Sequence, residues 1–443
     1  MLFKFLKYLQ PTHYFSIPRA NGTTVFPDVN DLPKAILEQL QEDHNYTSPI
    51  AKHYDLSWQA VHKGYLGDVK TYAHVEDLNL KDNYLFIRKY FHKAWVFYVL
   101  VLRLLSLHHP FKELKAWYRT KGTKRSHYLN HPLQYDLWQT FDSELVKSAP
   151  KVSVVIPTLN RYHYLKDVLH DLEQQDYKNF EVIVVDQSEP YQQDFYAPFK
   201  LDLHLIHQEE KALWLARNTA VKNAKGTFIA FSEDDVRIEP NWVATHLKCL
   251  DFFDAQVSAG VFFPEGQHLP KERSYFTLAS QFATGNAMVY KSIFDAVGLF
   301  DRQFEKQRMG DGEFGLRCYI NGIKSISNPY AYCIDVKAST GGLRQFGSWD
   351  AFRTSTLFAP RPIPSVLYFY RWYFGNAQAR WALLRTVPLS LMPYRFKKHK
   401  GLLVLGVFVS ILICPLVLLQ VYKSWHLSSK KLKQGPLIEK WHG

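Results

Sequence analysis

From Lys151 onward the chain repeats one device: a short apolar run, rich in β-branched residues, that ends on a polar or acidic residue. Val152–Pro157 (VSVVIP), Phe180–Asp186 (FEVIVVD) and Thr227–Ser232 (TFIAFS) are three such runs. Between them Tyr164–Gln174 and Leu213–Lys222 carry apolar residues at helical spacing, and Leu201–His207 reads as a further strand. Runs this short and apolar suit strands buried on both faces, and the helical stretches supply the crossovers that parallel strands need. The expectation is an α/β fold, Rossmann-like, with a mainly parallel sheet and helices on both faces. Ligands of such sheets sit beyond the carboxyl ends of the strands, and Pro157, Asp186 and Asp235 fall at such ends.

The third run passes straight into Glu233, Asp234 and Asp235. Neighbouring carboxylates repel unless a cation offsets them. The triplet therefore reads either as a solvated acidic turn or as a divalent-metal site holding phosphate oxygens. On an extended segment residues 233 and 235 point one way and 234 the other. Asp235 is the first choice of ligand, with Glu233 and Asp234 in support.

With 443 residues the chain has room for two or three parts. Residues 1–150 contain no motif that reads as chemistry. Met1–Gln10 is interrupted by Lys4 and Lys7 and does not read as a secretory signal; it suits either a membrane surface or a buried amphipathic helix. Ala94–Leu107 is apolar but only 14 residues long with Arg103 inside it, the length of a buried or interfacial helix. The four cysteines include no CxxC pair, which argues against a cysteine zinc site and fits a reducing compartment.

The net charge of +13 is concentrated in one place. From Arg361 on there are 13 Lys/Arg against the single acid Glu439, while the preceding 360 residues balance to +1. A basic groove for nucleic acid on the main body is not indicated. The basic tail encloses Gly401–Tyr422, 22 residues without a charge. As one helix this run would reach about 33 Å, enough to cross a hydrocarbon core of about 30 Å. Basic residues flank both ends, so a single span and a re-entrant or interfacial element with both ends on the cytoplasmic face are both open, with a buried core helix as a third reading, and Pro415 would kink the helix.

Four segments taken together, VSVVIPTLNR at 152–161, FEVIVVDQSEP at 180–190, LARNTAVKNAKGTFIAFSEDD at 215–235 and GDGEFGLR at 310–317, resemble family 2 glycosyltransferases. The resemblance covers roughly residues 151–340 and implies the GT-A fold, a nucleotide-sugar donor and inversion at the transferred sugar. With the change of pattern at Lys151 and the basic, aromatic tail, the chain reads as three parts: an N-terminal accessory region at 1–150, a transferase domain at 151–345, and a C-terminal region at 346–443 with membrane-associated helices.

The site residues follow from the same resemblance and from their chemistry. Pro157, Thr158 and Asn160 would present backbone groups and a hydroxyl to the nucleoside. Asp186 would accept from the base, with the N3–H of uracil as a suitable donor, which favours UDP over GDP. Gln187 stands where the family often has a second Asp. Arg217 and Asn218 would face the sugar diphosphate together with Asp234, a guanidinium being well shaped for phosphate. Asp235, Glu233 and Asp335 would hold Mn²⁺ or Mg²⁺; Asp335 stands where many relatives have a histidine. Asp311 would take the acceptor proton, with Glu313 as runner-up, and either that role or a helix cap fits Asp311. Thr284, Gly285 and Asn286 would form the acceptor side. Lys337 and Arg344, around Gly341 and Gly342, would close over phosphate or remain surface bases.

The implied function is transfer of a sugar from a UDP-sugar to a glycan or lipid-linked hydroxyl at the cytoplasmic membrane face. A processive polysaccharide synthase is disfavoured because Tyr368 precedes Arg371-Trp372 where a QxxRW motif needs Gln. The alternative is a catalytically impaired GT-A-like scaffold or glycan-binding protein at the membrane.

Overall fold

The computed structural model describes residues 1–127, 130–338, 342, 350–354, 356–392, 396 and 399–441. The chain divides into two units, Met1–Gln134 with Tyr370–Pro415, and Tyr135–Phe369 with Leu416–Gly443. Arg344 and Gly341 lie outside the described residues.

The first unit is built on helices. Ser48 caps α1 (Pro49–Lys63) by accepting from Ala51 N, and Gly64 ends it in the left-handed region at φ 96°. Helices α2 (Leu80–Tyr90), α3 (Lys93–Leu105) and α4 (Pro110–Arg119) follow. Met1–Gln10 belongs to the core of this unit: Leu2, Phe3, Phe5, Leu6, Tyr8 and Leu9 are buried, and Phe3 stacks on Phe86 of α2. Asp55 of α1 is buried as well, and accepts from Tyr46, Gln59, Lys89 and Tyr90. Four donors offset the cost of burying that carboxylate. Glu113 of α4 plays the same part between Tyr84 of α2 and Arg103 of α3.

The uncharged run 401–422 is not one helix. It breaks at Ile413 into α9 (Lys400–Leu412) and α10 (Cys414–Gln434). Pro415 falls in the first turn of α10, where its missing N–H is harmless. Among the described residues no single helix is long and apolar enough to cross a membrane; this bent pair passes that test only jointly.

The second unit holds a nine-stranded sheet in the order β3-β2-β1-β4-β8-β6-β9-β5, with β7 (Thr277–Leu278) also on β9. β1 (Val152–Thr158), β2 (Phe180–Asp186), β3 (Leu203–His207) and β4 (Phe228–Ser232) pair in parallel, as the apolar runs predict. Pro157 is tolerated in β1 because the ladder to β4 covers only Val152–Val155. Beyond β4 the sheet is mixed. β8 (Asn286–Tyr290) runs antiparallel to both β4 and β6 (Val257–Pro264). β6 pairs in parallel with β9 (Ser325–Asp335), with a register shift between Gly260 and Val261. β9 in turn carries β5 (Val236–Ile238), antiparallel.

Three residues, Glu233–Asp235, separate the end of β4 from the start of β5. Three residues span about 10 Å at most, so the far strand of the sheet must return to the carboxyl ends of the parallel half. Four helices flank these strands: α5 (Tyr162–Glu173), α6 (Leu213–Asn223), α7 (Trp242–Phe252) and α8 (Gly310–Ile320).

The last described residues lie against the segment before α8. Leu437 N donates to Asp301 Oδ1 at 2.9 Å, Leu299 N donates to Glu439 O at 2.9 Å, and Lys222 pairs with Glu439.

Candidate active site

β4 ends at Ser232, and the acidic triplet is a bend, not an extended segment. The alternation expected of residues 233, 234 and 235 therefore does not hold. Asp234 and Asp235 both face Arg161, whose Nη1 lies 3.0 Å from Asp234 Oδ1 and 3.0 Å from Asp235 Oδ2. The hydroxyl of Thr158 donates to the other oxygen of Asp234 at 2.8 Å, joining the β1 end to the bend. Burial, opposed by Arg161, pushes Asp234 up to about 6. Burial and the neighbouring Glu233 raise Asp235 as well.

Arg161 is the residue that sequence reasoning missed. It ends the VSVVIPTLNR segment, and a base just after a turn looks like any surface arginine. The second glycine of the Gly341-Gly342 pair lies on it: Gly342 N donates to Leu159 O at 2.9 Å, and a Cβ at Gly342 would stand 2.6 Å from Arg161 Cζ. Gly342 also has φ 89°, the left-handed region that favours glycine.

Asp335 reaches the same place from β9. It is the register partner of Val236, next to Asp235, and contributes to raising the Asp235 pKa. Its Oδ1 accepts from Lys337 N at 3.0 Å. Glu233 lies near Arg217, whose Nη2 is 3.8 Å from Glu233 Oε1. Arg217 is buried, its guanidinium over the ring of Trp214 at 5.1 Å. These carboxylates offer oxygen, the ligand type of a hard divalent ion, but Arg161 already pairs with two of them, and among the described residues the trio of metal-type ligand atoms within 4.8 Å of one another lies elsewhere in the sheet.

The turn before β8 connects this bend to α8. A Cβ at Gly285 would stand 2.3 Å from Glu233 Cγ, so only glycine lets Glu233 lie against the turn. One residue earlier, Thr284 donates its hydroxyl to Asp311 Oδ1 at 2.6 Å. Asp311 lies in the first turn of α8, where the helix dipole favours a carboxylate. Gly310 makes room for Trp214, whose ring would be 2.1 Å from a Cβ there.

Other expected site residues have their polar atoms engaged by the scaffold. Asn160 takes the left-handed conformation at φ 55°, and bridges two strand-end loops through Ser188 and Glu189. Asn218 bonds both N and O of Phe300. Asn286 is held by Trp242, His246, Val261 and Ala331 inside the core. Glu313 is buried in a two-pronged pair with Arg317, at 2.8 and 2.9 Å, which leaves it no route to an acceptor proton. Asp186 is fully buried and accepts from Tyr162, Tyr196 and Ser188 N at 2.7–2.8 Å. Burial and the Asp186 bond push Tyr162 up to about 12. Gln187 accepts from Ala212 N at 2.6 Å and so fixes the residue ahead of α6.

A second cluster lies at the opposite ends of β2 and β3. Ligand atoms of Glu181, Asp202 and His204 come within 4.8 Å of one another. Lys151 Nζ is already 3.4 Å from Glu181 and 3.2 Å from Asp202, so an ammonium supplies the positive charge there.

Residues 153–300, a third of the chain, match Glycosyl transferase family 2. Over 163 residues, 36% of this chain and 22% of the relative, it is 28% identical to the glycosyltransferase GlyA of Streptococcus pneumoniae serotype 4. Over 118 residues, 26% of this chain and 30% of the relative, it is 33% identical to the uncharacterized glycosyltransferase YfnE of Bacillus subtilis. The chain thus spans under a third of the length of either relative. Among solved structures it is similar to S. aureus TarS 1-349 in complex with UDP-GlcNAc, with a TM-score of 0.43, 18% identity, and coverage of 64% of this chain and 92% of that one.

Proposed function

We propose that the chain is an inverting glycosyltransferase moving a sugar from a nucleotide-diphosphate sugar, UDP-linked by preference, to a glycan or lipid-linked hydroxyl at the cytoplasmic membrane face. The observation that carries this reading is the Thr284-Gly285 turn. One of its residues holds Asp311, and the next lies against Glu233 of the acidic bend. The proposed proton acceptor and one carboxylate of the acidic bend thereby flank one short segment, an arrangement that suits a single displacement. Asp311 takes the acceptor proton. Asp235, with Glu233, Asp234 and Asp335, would hold Mn²⁺ or Mg²⁺ in place of the Arg161 guanidinium, and the ion would supply stabilisation of negative charge on the departing diphosphate. Arg217 lies behind Glu233 and adds positive charge on the diphosphate side, while Thr158 and Pro157 line the nucleoside side. Residues 151–345 form the transferase domain in this reading, and residues 1–150 and 346–443 serve location and acceptor access. The test is release of UDP or GDP from a panel of donors with Mn²⁺, in the wild type and in Asp311→Asn.

A scaffold without turnover is the second reading. It is favoured by the three protein donors already on Asp186 and by Asp335 in place of histidine. Metal binding without turnover on any donor would select it.

A further inference from the structure

We propose that the turn between α3 and α4, with the outer face of α4, is a docking surface for an anionic lipid bilayer, independent of the tail run 401–422. Leu105 and Leu107 at the turn, and Phe111, Leu114 and Tyr118 on α4, are all exposed; Leu107 is 94% exposed and Phe111 78%. On α4 the apolar residues 111, 114 and 118 fall at helical spacing and form one stripe. Glu113, Ala116 and Thr120 form the opposite, buried face. Lys112, Lys115 and Arg119 run alongside the stripe. Apolar outward with bases beside it is the pattern of a helix lying in a membrane interface.

Leu107 carries a second cost. It follows the end of α3 in the left-handed region at φ 58°, with His108 N donating back to Arg103 O at 3.1 Å. Glycine is the ordinary occupant of that position, because a Cβ is strained there. A leucine both strained and exposed contributes nothing to the fold that glycine would not.

Charge selects the occupant. From Lys93 to His131 there are eight Lys/Arg and one acid, Glu113. That acid is buried against Arg103, so the exposed Lys112, Lys115 and Arg119 beside the stripe have no acid of this stretch to offset them. A second copy would bring the same bases to the contact and be repelled. An anionic bilayer accepts both the apolar stripe and the charges, each base near such a surface adding attraction that salt screens.

The test uses the full chain with Cys414, the exposed cysteine, changed to Ser, and Phe111→Cys labelled with an environment-sensitive fluorophore. Vesicles containing about one third phosphatidylglycerol should shift the emission to the blue, vesicles of phosphatidylcholine alone should not, and high salt should reverse the shift. Unchanged emission with anionic vesicles, or a shift equal on neutral ones, overturns the proposal, whatever the tail does. The paired variant Leu107→Gly, Phe111→Ser should lower vesicle partitioning about tenfold while its thermal midpoint stays level or rises. A fallen midpoint with unaltered partitioning would mean that these side chains serve the fold. Donor turnover in detergent stays at the wild-type level, so failure here leaves the transferase reading untouched.

Discussion

Thr284 donates its hydroxyl to Asp311 at 2.6 Å, across 27 residues of sequence. The bond fixes a carboxylate on the first turn of α8 relative to a turn that touches the acidic bend. In the proposed reaction this is the bond that aims the base, so it separates a chemical role from a capping role.

Asp311→Asn should leave donor binding intact and lower transfer by about 10²- to 10⁴-fold. Thr284→Val should lower kcat about tenfold through misaimed proton transfer, with KM for the donor unchanged. Steady-state kinetics and donor titration check both. A normal rate in Asp311→Asn would remove it as the base.

Asp235→Asn should abolish metal-dependent binding of UDP, read by calorimetry with and without Mn²⁺. Arg161→Gln should behave oppositely in chelator. With the guanidinium gone, Asp234 and Asp235 face each other uncompensated, and the thermal midpoint should fall. Mn²⁺ should restore more stability to this variant than to the wild type, because the ion takes over the charge that Arg161 supplied.

The Asp234 carboxyl, pushed up by burial to about 6, would titrate near 3.8 in the unfolded chain. Between those values the folded chain holds the extra proton. This contribution to stability is therefore full below about pH 4 and lost as pH rises through 6, with an upper bound of about 3 kcal/mol. Metal-free unfolding at pH 4, 5, 6 and 7 should show this slope in the wild type, and Asp234→Asn should flatten it. A common slope in both would dissociate Asp234 from the effect.

Glu313→Gln should cost about 3 kcal/mol of stability by stranding Arg317 in the interior, and turnover per folded molecule should hold. Arg317 also donates to the carbonyls of Val297, Gly298 and Leu299, so the damage should reach that segment. Denaturant unfolding beside active-fraction kinetics checks it. A selective loss of turnover at unchanged stability would restore Glu313 as a candidate base.

Alkaline carbonate extraction should leave the chain with the membrane pellet if the tail inserts. Protease cutting after Lys423 from the cytoplasmic side would favour the re-entrant form over the span.

The parallel half of the sheet was legible because β1 and β2 are continuous apolar runs rich in β-branched residues and β4 is a short apolar run, each with a polar end, while β3 (LHLIH) was carried by its position in the alternation of strands and helices. The mixed half was not: β8 and β9 include Asn286, Asn328 and Pro329, and nothing local gives the direction of a strand. Period-2 reasoning failed at Glu233–Asp235 because it assumes an extended backbone, and the chain bends there. Asn160, Asn218 and Asn286 were indistinguishable in sequence from ligand-facing amides. An amide offers the same donor and acceptor as a peptide unit, so it can satisfy backbone as readily as substrate. Arg161 had no signal of its own; its role appears only when the β1 and β4 ends are brought together.

Asp301 and Leu299, which receive Leu437 and Glu439, lie in the stretch that ends at Glu305. That carboxylate accepts from Trp214 N and Leu215 N at 3.2 and 2.8 Å, at the start of the helix that carries Arg217. The first turn of that helix is thus anchored through a relay to residues more than two hundred positions later. In the proposed reading, a substitution at Leu437 or Glu439 would loosen the first turn of the helix that carries Arg217 on the diphosphate side.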